Sequence, residues 1–545
     1  MQTSKSRPFV IGASQPIGWR TSPQVPLCMD LAQVSCARVT RSHSSATPHD
    51  RATKWARGQG TTLASGSHCR DTGARATLHL LILGAPPKGG RVQSEGVLIV
   101  NAVMEEQASF GDTLERVAQE DVRLVDLQFS DLAGGARAMT IPVDLLPGVL
   151  RNGYRFDGSA VTGGQREVEL DLFLSPDAST LITYKEASGT QRRALITCSV
   201  RRRDGLPFAG DPRSVLERNL KEAREAGFDY RVGIELEYYI FRPDPGGTVS
   251  TLDASGYFSM MPGLAKSVRE DVVMTLAEMG IGVGGAHHET GPGQEELDLL
   301  PTDALTMADT VLTVRQVIRS VAQRHGLRAN LMPKPLADAP GSGMHVFQQL
   351  WRAEGGGDAL RGEGEALSSL GRHAIAGQLQ HARGMSAIVC PTVNSYKRLA
   401  AGHRAPRHAT WARFSQASLI RVPSIGVSTE PAIELELRSP DNMANPYRAF
   451  SVALAGAMDG IRAGQEPSLA VDENLMRYDD AEMVRLGIPP LPQTMGDALY
   501  LLAENDLVRS ALGDYVCDQF LQVKRAEWSD YRRYVSPWER DRYGD

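Results

Sequence analysis

The pattern of apolar and polar positions changes character along this chain. In "GIELEYYIF", Gly233 to Phe241, Ile234, Leu236 and Tyr238 alternate with Glu235 and Glu237. Alternation of period two predicts a β-strand whose two carboxylates share one face while the apolar residues fill the other. The same rhythm recurs in "AIELELRSPD", where Glu434, Glu436 and Arg438 fall on one face and Ile433, Leu435 and Leu437 on the other. It recurs again after the Gly-Pro-Gly turn of "AHHETGPGQEELDLLP", where Glu296 and Asp298 share a face and Glu289 precedes the turn. Nearer the N-terminus, "VRLVDLQFSDLAGGARAMTIP" reads as two strands joined by a Gly-Gly turn after Asp131, a hairpin signature. "FDGSAVTGG" reads as a polar loop, and "VELDLFLSPD" as a further strand with a turn at Pro176 and Asp177.

Helical spacing takes over at "GDPRSVLERNLKEAREAGF", where Asp211 caps, Pro212 takes the first helical position and Gly227 stops the helix. In "DALTMADTVLTVRQVIRSVAQRHG" the residues Leu305, Ala308, Val311, Leu312, Ile318 and Val321 recur at helical intervals between a cap at Asp303 and a stop at Gly326. A small β-rich region over 104–205, followed by interleaved strands and helices over 206–545, predicts an α+β architecture of two domains. No repeat of the solenoid kind is present.

The first 103 residues differ from this. Up to Gly96 the only acids are Asp30, Asp50, Asp71 and Glu95, against a dozen Lys and Arg, with frequent Ser, Gly, Thr and Pro and no sustained periodicity. An organellar transit peptide, a disordered extension and a start assigned upstream of Met104 are the competing readings, and the last is favoured. The functional reading therefore begins at Met104.

Composition narrows the function classes. A 545-residue chain with 42% hydrophobic content and a net charge of −5 has enough apolar material for a sizeable core. Its charge balance argues against a dedicated partner for nucleic acid or membrane surfaces. No apolar run approaches the roughly 18 residues of a membrane span. Six cysteines without close pairing suit a reducing cytoplasm rather than a disulfide framework or zinc site.

One acid-bearing strand is most simply a solvated sheet face. Three in one domain are hard to explain that way, because converging carboxylates are costly unless cations neutralise them. Hard divalent ions such as Mg²⁺ or Mn²⁺ prefer such oxygen donors. A nitrogen donor could come from His345 in "GSGMHVF", although a lone histidine among glycines is commonly structural.

From about Leu124 onward the chain resembles the glutamine synthetase family. The resemblance rests on an ordered series: "FSDLAG", "FDGSA", "ELEYYIF", "HHETGPGQEEL", "HGLRANLMPKP", "GSGMH", "PTVNSYKRLAAG", "LIRVP", "ELRSPDNMANPYRAF" and "VSPWERDRY". It implies a small β-grasp domain followed by a catalytic domain whose curved antiparallel sheet forms a funnel for two divalent ions. One ion would belong to Glu237, Glu289 and Glu296, and the other to Glu235, His345 and Glu436. It also implies ATP as co-substrate, phosphorylation of the side-chain carboxylate of glutamate, and displacement of phosphate from the acyl phosphate by ammonia. Arg398, Arg438 and Gly341 match the family's glutamate site, and Arg421 matches a nucleotide contact. Asp131 matches a catalytic acid that reaches the ammonium site of a neighbouring subunit, which implies a ring-shaped homo-oligomer, commonly a dodecamer.

The departures from the family are local. The ammonium-site glutamate falls on Arg404, and a guanidinium repels a cation and cannot act as a base at neutral pH. A phosphate-contacting arginine becomes Gln416, no Lys or Arg occurs from Val422 to Leu435, Glu434 takes a normally basic position, and Phe347 and Pro340 replace a His and an Asn. Met476 stands where the family's adenylylated tyrosine would be. Lys397, Arg407 or Arg413 could compensate. The resulting expectation is an ATP-dependent ligase joining glutamate or a related acid to an amine other than free ammonium. The alternative is a non-catalytic or regulatory relative that keeps metal binding and assembly without ATP turnover.

Overall fold

In the computed structural model, the described residues are 109–544 apart from 133, 162–169, 186–190, 244–248, 261–262, 365, 401–403, 425–430 and 474–477. All of them belong to one unit, Lys88–Asp545. The N-terminal extension and Met476 lie outside the described residues.

The first sheet is built from β1 (Val122–Ser130), β2 (Ala136–Pro142), β3 (Tyr154–Asp157), β4 (Asp171–Pro176), β5 (Ile182–Lys185) and β6 (Arg192–Arg201), in the order β2-β1-β6-β4-β3 with β5 also on β6. β1 and β6 run parallel, and the remaining pairs are antiparallel. Alternation in β6 buries Ala194, Ile196, Cys198 and Val200 against Val125 and Leu127 of β1. The expected hairpin is present, with Gly134 at a φ of +96°. A Cβ on Gly134 would lie 2.9 Å from the Cβ of Asn445, so only glycine lets the hairpin tip seat here. Asn445 also donates from Nδ2 to the Ser130 hydroxyl at 2.8 Å, tying the hairpin to the segment that follows the last strand of the second sheet.

The second sheet carries β7 (Phe228–Pro243), β8 (Val249–Thr251), β9 (Val283–His288), β10 (Gln294–Asp303), β11 (Arg328–Asn330), β12 (Met344–Arg352), β13 (Trp411–Ala412), β14 (Ile420–Arg421) and β15 (Leu435–Leu437). Its order is β13-β14-β15-β12-β7-β10-β9, with β8 and β11 also paired to β7. Every pairing is antiparallel except that of β13 with β14.

One face of this sheet packs on helices. Tyr230, Val232, Ile234, Leu236, Tyr238 and Ile240 of β7 alternate into a single core with Val311, Leu312 and Ile318 of the helix Ala304–Arg324. That helix starts where the sequence requires, the Asp303 carboxylate accepting from Thr306 N at 2.9 Å. Asp211 likewise caps the helix Pro212–Glu225, accepting from the backbone amides of Arg213 and Ser214. Behind this layer the helices Ser369–Val389 and Pro446–Ala463 approach so closely that a Cβ on Gly377 would run into the carbonyl of Gly456. Among the described residues no helix is long and apolar enough to cross a membrane.

Candidate functional site

The opposite face of the second sheet holds the acids. β7 lies between β12 and β10, so Glu235 has His345 across one strand boundary and Asp298 across the other, while Glu237 stands opposite Glu296. The β9–β10 hairpin brings Glu289 alongside, its backbone amide donating to the Gln294 carbonyl at 2.8 Å. The turn depends on glycine: Gly293 has a φ of +70°, and a Cβ on Gly291 would strike the Tyr239 hydroxyl. β15 supplies Glu436 opposite Phe347, one strand further out.

Two donor sets result, Glu237 with Glu289 and Glu296, and Glu235 with His345 and Glu436, the ligand atoms in each set lying within 4.8 Å of one another. A third set of Glu235, Glu296 and Asp298 overlaps both. This is no solvated sheet face, since the side chain of Glu436 is fully buried and that of Glu296 is 9% exposed.

The charges on this floor are partly compensated from within. Glu436 pairs with Arg421 Nη1 at 2.6 Å and with Arg438 Nη1. Glu237 accepts from the Gly343 amide at 2.8 Å, and Glu289 from the amide of Thr290. Burial pushes Glu296 up to about 8, with Glu237, Glu235 and Asp298 adding repulsion and a hydrogen bond from His287 opposing it. Its partner His287, at 3.1 Å, is raised to about 9 by the same hydrogen bond. Burial also raises Glu235, with Arg438 and Arg421 pulling the other way. His345 is pushed down to about 3, first by burial and then by Arg438, so its imidazole is neutral at physiological pH, the form a metal ligand requires. Five carboxylates and one neutral imidazole in two compact sets fit hard divalent cations such as Mg²⁺ or Mn²⁺.

A cavity of 1030 Å³ opens above this floor. Gly341, Arg398, Arg404, Arg421 and Arg438 all line it, together with Gln416 and Lys334. Arg398 is buried and gives Nη1 to the Ser439 and Pro440 carbonyls, at 2.8 and 3.2 Å, and Nη2 to that of Arg438, at 2.9 Å. It thereby fixes the segment that carries Arg438. The Gly341 carbonyl accepts from Gln294 Nε2 at 3.0 Å, which ties the glycine loop to β10. Lys397, Arg407 and Arg413 are absent from the lining. Lys397 instead rests on the Tyr531 ring. Asp131 is also absent from its own chain's cavity, held by the Gly135 amide at 2.7 Å and by Arg137 Nε at 2.8 Å. Glu434 faces Gln349, whose Nε2 donates at 2.8 Å, and Phe347 is half-buried.

Three residues of the site escape the sequence reading. Lys334 sits in the quoted "HGLRANLMPKP" and donates to the Ala339 carbonyl at the cavity wall. His287 lies directly across β9 and β10 from Glu296, a register that the turn length alone could have suggested. Tyr257 comes from a loop without periodicity and carried no signal.

Comparison with known proteins agrees over nearly the whole described region. Residues 209–543 match the glutamine synthetase catalytic domain family, and residues 121–203 the glutamine synthetase beta-Grasp domain family. The chain is 38% identical over 438 residues to glutamine synthetase of Staphylococcus aureus strain MW2, covering 79% of this chain and 97% of that protein. It is 37% identical over 436 residues to glutamine synthetase of Clostridium saccharobutylicum, covering 79% and 98%. Among solved structures, GmaS in complex with ADP superposes with a TM-score of 0.69 at 29% identity, covering 79% of this chain and 98% of that one. Apo GmaS without ligand gives the same TM-score at 30% identity, covering 79% and 99%.

Proposed function

Because the chain belongs to the glutamine synthetase family, we propose that it is an ATP-dependent ligase joining the side-chain carboxylate of glutamate, or of a closely related acid, to an organic amine rather than to free ammonium. The observation that carries the acceptor is the guanidinium of Arg404 lining the same cavity as both carboxylate sets. A fixed cation there repels ammonium and cannot take a proton from it.

Glu237, Glu289 and Glu296 would hold one divalent ion, and Glu235, His345 and Glu436 the other. When bound, the ions supply positive charge against the oxygens of the transferring phosphoryl group. In the first step the acid's carboxylate oxygen bonds to the γ-phosphorus of ATP while the bridging β–γ bond breaks and ADP leaves. In the second the amine lone pair bonds to the acyl carbon, the bond from carbon to phosphate breaks, and the nitrogen loses a proton to solvent. Arg398 and Arg438 would take the acid's free carboxylate, the planar guanidinium suiting a two-point contact. Arg421 and Lys334 are the cations left on the cavity wall for phosphates. Asp131 would serve a neighbouring subunit in a homo-oligomeric ring, and a cytoplasmic location suits this chemistry.

The full chain, given Mg²⁺ or Mn²⁺, ATP, glutamate and a panel of amines, should release phosphate and form a γ-glutamyl amide detectable by mass spectrometry. Equal or faster turnover with ammonium would overturn the acceptor assignment. A second reading, a relative without ATP turnover, draws on Gln416 and on the absence of Lys and Arg between Val422 and Leu435. It requires metal binding with no calorimetric signal for ATP.

A further inference from the structure

The cavity's arginines are not equivalent. Arg398 gives part of its guanidinium to three backbone carbonyls, and Arg421 and Arg438 each direct Nη1 to Glu436 while keeping other N–H groups for ligands. Among the described residues no carboxylate or carbonyl pairs with Arg404, an exposed residue whose guanidinium carbon lies 5.7 Å from the centre of the Tyr257 ring. Tyr257 is 48% exposed and lines the cavity, and Phe258 beside it is 60% exposed, with ring centres 4.1 Å apart. Both rings pack edge-on against His287, at 5.2 and 4.5 Å, and His287 in turn holds Glu296. A continuous wall therefore runs from the carboxylate floor through His287 and two aromatic faces to an arginine open to an anion. Phe258 and Arg404 also have φ of +58° and +55°, two of only three such non-glycine residues among those described. Such backbone strain gathers where the fold holds a side chain for use.

We propose that this wall selects the acceptor: a primary amine whose carbon skeleton lies against Tyr257 and whose far end bears a carboxylate or phosphate that pairs with Arg404. The inference rests on the ligase reading above and specifies its amine class. A guanidinium presents a planar fork to either anion, while the aromatic faces contribute contact area without a competing charge. Ammonium and simple alkylamines lack the anion and gain nothing from Arg404.

The test compares amines of matched length on the full chain: ammonium, ethylamine, β-alanine and O-phosphoethanolamine, with 4-(aminomethyl)benzoate as a ring-bearing carboxylate. The anionic amines should exceed ethylamine at least tenfold in kcat/KM, and the ratio of β-alanine to O-phosphoethanolamine identifies the anion. Arg404→Ala should raise KM for the anionic amines roughly 10- to 100-fold and bring their ratio to ethylamine close to one. Arg404→Lys, which keeps the charge without the fork, should fall between. Tyr257→Leu should raise KM for the ring-bearing amine more than for β-alanine. Equal use of ethylamine and β-alanine by the parent, or an unchanged ratio in Arg404→Ala, overturns this inference and leaves the ligase reading standing. No phosphate release with any amine sinks the ligase reading, and the acceptor class falls with it.

Discussion

Two glutamates in the same donor set should respond in opposite directions when their charge is removed. Glu436 is fully buried between Arg421 at 2.6 Å and Arg438, whose side chain is 6% exposed. Glu436→Gln leaves two guanidinium groups facing a neutral amide that can accept from only one of them well. Removing one partner of a buried ion pair costs about 3–5 kcal/mol, and the surviving acceptor puts this variant near 3 kcal/mol. Glu235 meets the carboxylates of Glu296 and Asp298 and a neutral His345, whose Nδ1 lies 2.9 Å from its Oε2. Glu235→Gln keeps an acceptor for His345 and removes a charge that burial disfavours more than Arg438 and Arg421 favour it, so it should raise metal-free stability by about 1 kcal/mol.

Urea unfolding in EDTA at fixed protomer concentration reads both variants, and repeating it in Mg²⁺ or Mn²⁺ reads the site. Each filled site should add about 2.7 kcal/mol at a metal concentration of 100 times its Kd, and both variants should lose the share of the set formed by Glu235, His345 and Glu436 while keeping that of the other set. The reasoning fails if the two substitutions destabilise the metal-free protein equally, for then the arginines do not hold Glu436. It fails also if either variant keeps the full metal-dependent gain.

Three further outcomes follow from other parts of the fold. Asp441 is fully buried, its Oδ1 accepting from Met443 N at 2.9 Å, and burial pushes it from 3.8 to about 6. Its folded value exceeds the unfolded one, so its contribution to stability is full below pH 3.8 and is lost as pH climbs through 6; relative to the parent, Asp441→Asn, always neutral, should draw ahead by about 3 kcal/mol above pH 6 in unfolding curves taken from pH 4 to 7. Arg213 joins Asp177 at 2.7 Å, Glu217 at 2.8 Å and Asp309 at 3.1 Å from a side chain 4% exposed, and Arg213→Met should cost about 3–5 kcal/mol in urea unfolding without changing metal affinity. Gly377→Ala should cost about 1–3 kcal/mol by forcing two helices apart, whereas Gly456→Ala, whose Cβ would meet nothing closer than 3.4 Å, should be neutral or slightly stabilising by thermal unfolding.

What the chain's pattern discloses and what it hides divide along physical lines. The caps at Asp211 and Asp303 and the alternation of β7 are local, set by side chains within a few residues of the backbone they serve, and both appear where the pattern puts them. The acids of β7, β10 and β15 are legible because strand parity fixes their face, whereas His345 and Glu289 join them only through the family resemblance. Their partners are not, because an ion pair such as Arg421 with Glu436 depends on how β14 and β15 register, across a stretch without strong periodicity. Arg398 illustrates the limit: its position is readable, but its engagement with three carbonyls of the 438–440 segment depends on a tertiary approach. The parallel pairing of β13 with β14 is likewise a product of packing, since two-residue strands carry no alternation to read.

The place of Glu235 and Glu237 on β7 explains why two acids two residues apart fall in two donor sets. Only the strand between β12 and β10 can present side chains to both neighbours at once. Glu235 faces His345 on one side and Asp298 on the other, and Glu237 faces Glu296 while the Gly343 amide closes its remaining side. Because side-chain direction has a period of two, a slip of one residue in β7 would turn both acids into the helical core and bring Leu236 and Tyr238 out to the cavity floor. The core formed by Ile234, Leu236 and Tyr238 therefore positions the donor sets, since the burial that holds those residues inward fixes the carboxylates on the opposite face.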